Sequence, residues 1–461
     1  MAIESVSGVA KANLETLSGV AKASVEAISS VTSSFVQHAA NVSTSIGAAD
    51  NGLYRPVMCY DTNEDTVVVA YQSVGDNHGE SRVGSIAASG AITWGTAVEF
   101  DEGTTSTGIK PLCMQFNANT NKIHLVYNSY DTGATNNYRV YSKIGTVDNS
   151  DNSITWAPSG NLNSTTGRLA SDAILQGQAV YHPGATKMYW HYVGANNRNH
   201  VRQLTDSTTD PDHQYLDDGA TSDYHPFGDN TSHWSGIVYA AVNSTHRLIV
   251  AADDNDVVKL CCGTVESDDN DVSWGSLATV VSASSDDIVV GWDSDNEKGL
   301  VLYTDSNSYG KFATFSVNTG TNAITVNTGT DEAGFFLSSA INSVNIMYNE
   351  DANHFVVAYR NDDTHDDIHF KTATLNGSDN TVSWSSNDST GGIVIHTGSS
   401  SAEGRSTELT YSPANINMAN YPDATPGVLV CWWRDGPSGV NSQGYVTRLA
   451  NLGTNYDQTA G

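Results

Sequence analysis

The stretch F-V-V-A-Y, residues 355–359, decides the fold of this chain, because its pattern and its flanking segments recur along the sequence. It follows V-N-I-M-Y (344–348) and a polar turn, and it precedes I-H-F-K-T-A-T (368–374), a second turn and V-S-W (382–384). Each run is short, rich in β-branched and aromatic residues, and bounded by Asn, Asp or Gly, as is typical of β-strands joined by tight turns. The segment therefore predicts a unit of four antiparallel strands.

This unit recurs down the chain, and its second strand ends each time in an aromatic or small residue. The positions are Tyr71, Tyr127, Tyr192, Ala252, Tyr303, Tyr359 and Trp432. One such unit cannot bury both faces of its sheet, whereas about four to eight sheets packed radially around a channel can. The sequence therefore predicts an all-β protein, with residues 37–461 forming a seven-bladed β-propeller.

Turn residues support this interpretation. Four residues before the Trp, or the equivalent Val, near the end of a unit stands Gly or Asn, at Gly90, Asn152, Asn270, Asn322 and Asn380. Gly and Asn accept the positive φ of a tight hairpin turn. The seventh unit shows three strands only, at 408–411, 428–432 and 445–449. Its outer strand comes either from 35–45 or from the C-terminal tail, and we favour the N-terminal segment.

Composition narrows the functional classes. A formal net charge of -30 opposes binding to nucleic acid or to an anionic membrane surface. No apolar run is long enough to insert into a membrane, and the N-terminus lacks the regions of a signal peptide. The five Cys have no metal-ligand spacing and are expected to be small buried side chains. We expect a protein made in a reducing cytoplasm, without a cofactor.

Residues 1–36 differ from the rest, because S-G-V-A-K-A (7–12) returns eleven residues later as S-G-V-A-K-A (18–23). An eleven-residue period gives an apolar stripe along a helix. Gly8 and Gly19 argue against an isolated helix, so a small β-repeat or an extended arm stays open. In either form the stripe needs a partner, and the segment is interpreted as an assembly anchor. Its apolar positions are Val6, Val9, Leu14, Leu17, Val20, Val25, Ile28 and Val31.

These tandem S-V-x-G-V-A-K-A-x-[ILV]-E units resemble N-terminal repeats in structural proteins of tailed bacteriophages, especially marine ones. The resemblance covers roughly the first 36 residues, and the third copy, which begins at Ile28, departs from the pattern. It implies a virion component. The partners it implies are other virion proteins, reached through the N-terminal segment, and further copies of this chain in the particle.

A second resemblance concerns the turns before Trp156, Trp274 and Trp384, which are similar to the Asp-box of sialidase-type propellers. The Gly of that motif is missing, so the resemblance is structural only. Sialidase chemistry requires an arginine cluster, a Tyr nucleophile with a paired Glu, and an acid/base Asp. No spacing of Arg55, Arg360 and Arg434 singles out such a set. We therefore expect no enzyme, with a glycan-cleaving propeller of the sialidase or lyase type as the alternative.

The largest irregularity is a predicted long loop between Leu204 and Trp234, where other units have a brief fourth strand. Long loops on rigid scaffolds often carry binding sites. The candidate binding residues are His213, Tyr215, Tyr224, His225 and His233. The His and Asp side chains of this loop could ligate a metal ion, and Asp-rich turns such as 293–297 could bind calcium. In both places the alternative is a polar turn with local hydrogen bonds, and we favour that alternative. The next longest insert is predicted at 413–426.

Together these features predict a structural protein of a virion, without enzymatic activity. Its propeller would be displayed as a decoration, tail-fibre or host-adhesion module that meets a host surface glycan.

Overall fold

The structure is a computed structural model of the chain. It describes residues 5–6, 9–10, 44–46 and most of 53–450. Within 53–450 it leaves out 74–75, 88–90, 103–108, 131–137, 158–176, 183–186, 194–198, 206–226, 228–230, 266–271, 284, 286, 328–334, 351, 362–366, 386–392, 397–415, 422–426 and 435–442.

All regular secondary structure in these ranges is β-strand. The strands are β1 (Ser5–Val6), β2 (Val9–Ala10), β3 (Thr44–Ser45), β4 (Leu53–Asp61), β5 (Thr66–Ser73), β6 (Gly79–Ile86), β7 (Ile92–Trp94), β8 (Val98–Asp101), β9 (Lys110–Asn117), β10 (Lys122–Tyr130), β11 (Tyr138–Asp148), β12 (Ser153–Trp156), β13 (Gly177–His182), β14 (Lys187–Val193), β15 (Asn199–Thr205), β16 (Thr231–Val242), β17 (Thr245–Asp254), β18 (Val258–Val265), β19 (Val272–Trp274), β20 (Ala278–Val281), β21 (Ile288–Asp293), β22 (Lys298–Thr304), β23 (Tyr309–Val317), β24 (Ile324–Asn327), β25 (Phe335–Asn349), β26 (His354–Asn361), β27 (Asp367–Leu375), β28 (Val382–Trp384), β29 (Ile393–His396), β30 (Ile416–Tyr421), β31 (Gly427–Arg434) and β32 (Gln443–Ala450).

These strands form successive antiparallel sheets in which chain neighbours lie side by side. We number the sheets one to seven by their first strands, which are β4, β9, β13, β16, β21, β25 and β30. The fifth and sixth sheets share a strand. Near its start β25 pairs with the third strand of sheet five, Ala340 opposite Tyr309, and it then continues as the first strand of sheet six.

The sheets are arranged in a ring. Each first strand contacts the first strand of the next sheet, from β4 through β9, β13, β16, β21 and β25 to β30, and β30 contacts β4. First strands therefore surround a common centre, which is the arrangement of a β-propeller. The predicted all-β class and propeller fold are confirmed. In the described ranges, seven first strands line this ring, and the hairpin β1–β2 lies outside it.

The second strands are buried on both faces because each sheet is covered by its neighbours. Every residue of β5, T-V-V-V-A-Y-Q-S, is buried, and so are the first six of β26. Such strands read as continuous apolar runs, as parallel strands covered on both sides do. The F-V-V-A-Y pattern therefore indicates an inner strand of a sheet that is covered on both faces by neighbouring sheets.

Hairpin turns are capped by their own Asp and Asn side chains. The Asp61 carboxylate accepts hydrogen bonds from the backbone N–H groups of Asn63 and Glu64 at 2.9 and 3.0 Å. Asp293 accepts from Asp295 and Asn296 in the same way, at 3.0 and 2.9 Å. The Asp-rich turn 293–297 therefore has the local hydrogen bonding of a tight hairpin.

The turns before the fourth strands also join neighbouring sheets. Asn152 and Asn322 have φ of 55° and 57°, as the sequence predicts, and so does Asn380 at 61°. The Nδ2 of Asn322 donates to the carbonyl of Ser273 on the preceding sheet at 3.1 Å. Gly275 lies against this turn, and a Cβ there would come within 2.7 Å of the Asn322 carbonyl oxygen. The predictions for Gly90 and Asn270 lie outside the described residues.

The buried cysteines agree with their predicted role. Cys59, Cys113, Cys261 and Cys262 are buried free thiols. Burial raises the pKa of Cys262 to about 12, which keeps its thiol protonated. Cys431 lies in β31.

The seventh sheet confirms one prediction and corrects another. Thr44 and Ser45 pair with Val446 and Tyr445, so the N-terminal segment supplies the outermost strand, as favoured from sequence. The first strand is β30, Ile416–Tyr421, whereas the predicted strand 408–411 lies outside the described residues. The predicted insert at 413–426 therefore contains a strand. Its sequence, I-N-M-A-N-Y, has two Asn that interrupt the apolar run, and a search for continuous apolar runs misses it.

The N-terminal repeat is described in its first copy alone. Ser5 pairs with Ala10 and Val6 with Val9, in an antiparallel arrangement rather than a helical turn. For these residues the structure has the β alternative, and the helical one is wrong. The other predicted anchor positions, Leu14, Leu17, Val20, Val25, Ile28 and Val31, lie outside the described residues.

Candidate functional site

Most of the predicted binding loop falls outside the described residues. This applies to His213, Tyr215, Tyr224 and His225. The backbone of His233 belongs to β16, which begins at Thr231, so this residue lies in a strand and not in the loop. The undescribed stretch begins after β15 at Thr205, and Phe227 within the predicted loop is buried.

The described part of the chain contains neither a cluster of metal ligands nor a membrane-spanning helix. There, no three His, Cys, Asp or Glu side chains converge on a point that could hold a metal ion. Among the same residues no helix is long and apolar enough to cross a bilayer.

The ring has two chemically different ends. We call one the turn face, where first strands join second strands and third strands join fourth strands, and the other the loop face. The hairpins that join first to second strands and third to fourth strands at the turn face are short, such as 62–65 and 294–297. Sheet three has no fourth strand in the described ranges, and the chain after β15 leaves the turn face and reaches β16 at the loop face. Long connections begin and end at the loop face, among them 131–137, 397–415 and 435–442. Since long connections on a rigid scaffold commonly carry binding residues, the loop face is the candidate binding surface.

The N-terminal segment joins the ring at the turn face, opposite the loop face. The first strand β30 runs from the loop face to the turn face, and each following strand reverses direction. The outermost strand β3 is antiparallel to β32 and therefore runs from the turn face to the loop face. Residues 1–43 accordingly join the ring at the turn-face end of β3.

A central cavity of about 330 Å³ lies between the first strands of sheets two to six. Its wall is somewhat more apolar than polar, with Leu112, Ile237, Val290 and Ile346 among the lining residues. Its polar lining residues are Gln115, Gln178, Tyr239, Trp292, Ser294, Asn345, Tyr348 and Glu350. A mostly apolar cavity with a few fixed polar groups is the usual form of a small-molecule site.

Two glutamines in this cavity are tied to the backbone of the next sheet. The Nε2 of Gln115 donates to the Ala179 carbonyl at 2.8 Å. The Oε1 of Gln178 accepts from the Ile237 N–H at 3.2 Å. Each amide therefore has one end fixed and the other end without a partner among the described residues. Sequence analysis missed both, and the available signal was a Gln inside an otherwise apolar first strand.

An aromatic and imidazole cluster adjoins the cavity between sheets three and four. The Tyr239 hydroxyl hydrogen-bonds to Nδ1 of His246, and the His182 and His246 rings lie 4.2 Å apart. Burial, and then the proximity of His246, lower the pKa of His182, and burial raises the pKa of Tyr239. His182 and Tyr239 are therefore neutral near pH 7, and the Tyr239 hydroxyl can donate to His246.

Glu350 and Ser294 mark the turn-face end of the cavity. The Ser294 hydroxyl donates to Glu350 at 3.0 Å across the junction of sheets five and six. The Tyr348 hydroxyl donates to Asp295 at 2.8 Å in the same junction. This end of the cavity is acidic, which disfavours the entry of anions from the turn face.

Comparison with known proteins bears on the fold. No protein-family model matches the chain, and no curated protein sequence is similar to it. Among solved structures, the periplasmic gluconolactonase of Pseudomonas aeruginosa is similar, with 11% identity, a TM-score of 0.48, and 75% of this chain and 85% of that chain covered. AofleA from Arthrobotrys oligospora has 13% identity and a TM-score of 0.40 over 72% and 87%. Fructan 1-exohydrolase IIa from Cichorium intybus has 9% identity and a TM-score of 0.38 over 59% and 57%.

This finding corrects the prediction that the chain is not an enzyme. Two of these similar structures, the gluconolactonase and the fructan exohydrolase, are enzymes by name. The prediction depended on the absence of a recognisable catalytic motif, and a propeller can assemble a site from several sheets that no local motif reveals. What the likeness shows for this chain is the β-propeller fold.

Proposed function

We propose that this chain is a component of a tailed-phage virion that displays its propeller as a binding module. Residues 1–36 hold it to other virion proteins, and the loop face points outward to meet a host surface glycan. The observation that carries the proposal is the placement of the two ends of the ring. Strand β3 enters the ring at the turn face, whereas β29 ends and β30 begins at the loop face, so the connection between these two strands starts and finishes there.

This arrangement suits display, because an anchor at the turn face leaves the opposite face free. The repeats S-G-V-A-K-A at 7–12 and 18–23 support a repeated partner, since a short apolar segment cannot bury itself. In the particle, several copies of the chain would present several loop faces. Multiple weak sites then act together with an affinity above that of any single site.

The test is a truncation that starts after Val36 and so retains Thr44 and Ser45, which pair with β32. The truncated chain should keep its melting transition and its circular dichroism spectrum. It should be missing from purified particles when assayed by mass spectrometry, whereas the full chain is present. Incorporation of the truncated chain at the normal level would overturn the proposed anchor.

The orientation has its own test. Antibody fragments raised against the loop-face peptide 435–442 should label intact particles in negative-stain electron microscopy. Fragments against residues 1–36 should label only disrupted particles. Labelling of intact particles by the second reagent alone would reverse the proposed orientation.

A further inference from the structure

We propose that the central cavity binds a neutral, hydroxylated small molecule of monosaccharide size, recognised by Gln115 and Gln178. This inference concerns the cavity and not the loop face, and it does not depend on the proposed function.

The first argument is that the two amides are oriented by the protein itself. Because Nε2 of Gln115 donates to a carbonyl, its Oε1 remains as an acceptor. Because Oε1 of Gln178 accepts from a backbone N–H, its Nε2 remains as a donor. Both side chains are half-buried and line the cavity. The cavity therefore holds a fixed acceptor and a fixed donor on adjacent first strands, which lowers the entropy lost when a ligand binds.

The second argument is an aromatic residue in the cavity wall. Trp292 lines the same cavity and is 5% exposed. Its Nε1–H is itself buried, so a ligand in the cavity would meet the indole ring and not this N–H. An aromatic ring offers apolar surface against which the C–H groups of a ligand can pack.

The third argument selects the chemical class. A hydroxyl group both donates and accepts, so it suits a site with fixed groups of both kinds. None of the lining residues is Lys or Arg, and Glu350 lies at the turn-face end. The cavity lining therefore offers an anion no positively charged partner. Apolar residues such as Val290 and Ile346 can contact the C–H faces of a sugar or cyclitol. The volume of about 330 Å³ lies at the small end of the range of ligand pockets.

The experiment is saturation-transfer difference NMR on the full chain. The probes are D-glucose, D-galactose, D-mannose and myo-inositol, with D-glucuronate as the anionic counterpart. At least one neutral probe should receive saturation, and glucuronate should receive less than the matching neutral sugar. Failure of every neutral probe at millimolar concentration would overturn the proposal, as would a preference for glucuronate.

Variants then locate the site. Gln115→Met and Gln178→Met each keep the side-chain length and remove the amide, and each should weaken binding of the positive probe by up to about tenfold. The matched control is Gln72→Met, a glutamine of sheet one that bonds Asn77 and does not line the cavity, and it should leave binding unchanged. Equal losses in the control and the cavity variants would refute the location.

A crystal of the unmodified chain soaked in the positive probe needs no variant. Density for the probe between Gln115 and Gln178 is expected. Density elsewhere, with this cavity empty of it, would place the binding outside the proposed site even if a variant fails to fold.

Discussion

Acidification should destabilise this propeller through His191, a histidine enclosed in sheet three. His191 is 0% exposed, and its Nε2–H donates to Oδ1 of Asn199 at 3.0 Å. Its Nδ1 has no partner among the described residues, so a proton placed there would be buried without an acceptor. Burial is the main reason that the pKa of His191 is lowered to about 3; the hydrogen bond to Asn199 raises it, and nearby His200 lowers it further.

The sign and size follow from proton linkage. The unfolded chain binds a proton at His191 near the ordinary pKa of 6.5, and the folded chain does so near 3. The unfolded state therefore binds more protons between these values, and stability falls as the pH drops from about 6.5 toward 3. Each pH unit in this window changes the free energy of unfolding by about 1.4 kcal/mol, so a drop to about pH 5 costs about 2 kcal/mol.

The assay is urea unfolding, followed by tryptophan fluorescence, at several values between about pH 7.5 and pH 5. The perturbation is His191→Gln, because its amide can still donate to Asn199 but does not titrate. The wild type should lose about 2 kcal/mol more than the variant across this interval. His78→Gln is the matched control. His78 is near the surface, and although slight burial lowers its pKa, Glu99 and Asp76 raise it overall, so its contribution is lost as the pH rises. Parallel pH curves for the wild type and His191→Gln would refute the reasoning.

Three further predictions concern the junctions between sheets. Gly275→Ala should lower the free energy of unfolding, measured by urea titration, by about 1–3 kcal/mol, because its Cβ would overlap the Asn322 backbone. Gly320→Ala, where the nearest atom to a Cβ lies at 3.6 Å, should be near neutral in the same assay. Arg247→Met should cost about 3 kcal/mol, since this buried guanidinium donates to the carbonyls of Val242, Thr245 and Thr319, and all three would lose a partner. The control is Lys122→Met, which removes a half-buried cation with one hydrogen bond, to Thr146, and a cost for Arg247→Met below that of this control would contradict the prediction. Cys262 should resist iodoacetamide in the folded protein and react after unfolding, as mass spectrometry of the labelled peptide can show, because burial raises its thiol pKa to about 12.

The fold could be predicted because its signals are local and repeated. A strand such as β5 carries a continuous apolar run, V-V-V-A-Y, and a turn such as that at Asn322 must accept positive φ, so each unit carries the pattern independently. The prediction of strands failed for the first strand of the seventh unit, which departs from the repeated pattern. Two Asn interrupt the apolar residues of β30, so a criterion of continuous hydrophobicity does not detect this strand.

The candidate site was less predictable because it depends on contacts between sheets. Nothing near Gln115 in the sequence indicates that its amide meets Ala179, or that Gln178 meets Ile237. These contacts arise from the closure of the ring, which the repeat predicts in general but not atom by atom. Similarly, the pairing of Tyr239 with His246 joins neighbouring strands whose register the sequence does not specify.

Polar residues have different roles in different parts of the ring. At the turn face, side chains such as Asp61 and Asp293 cap their own hairpins, and Asn152 and Asn322 bond the preceding sheet. Groups engaged in this way are constrained by the fold, and changing them would loosen the ring before it altered any ligand. The free ends of the Gln115 and Gln178 amides have no such role in closing the ring. These free amide groups are therefore where we expect a ligand of the central cavity to be recognised.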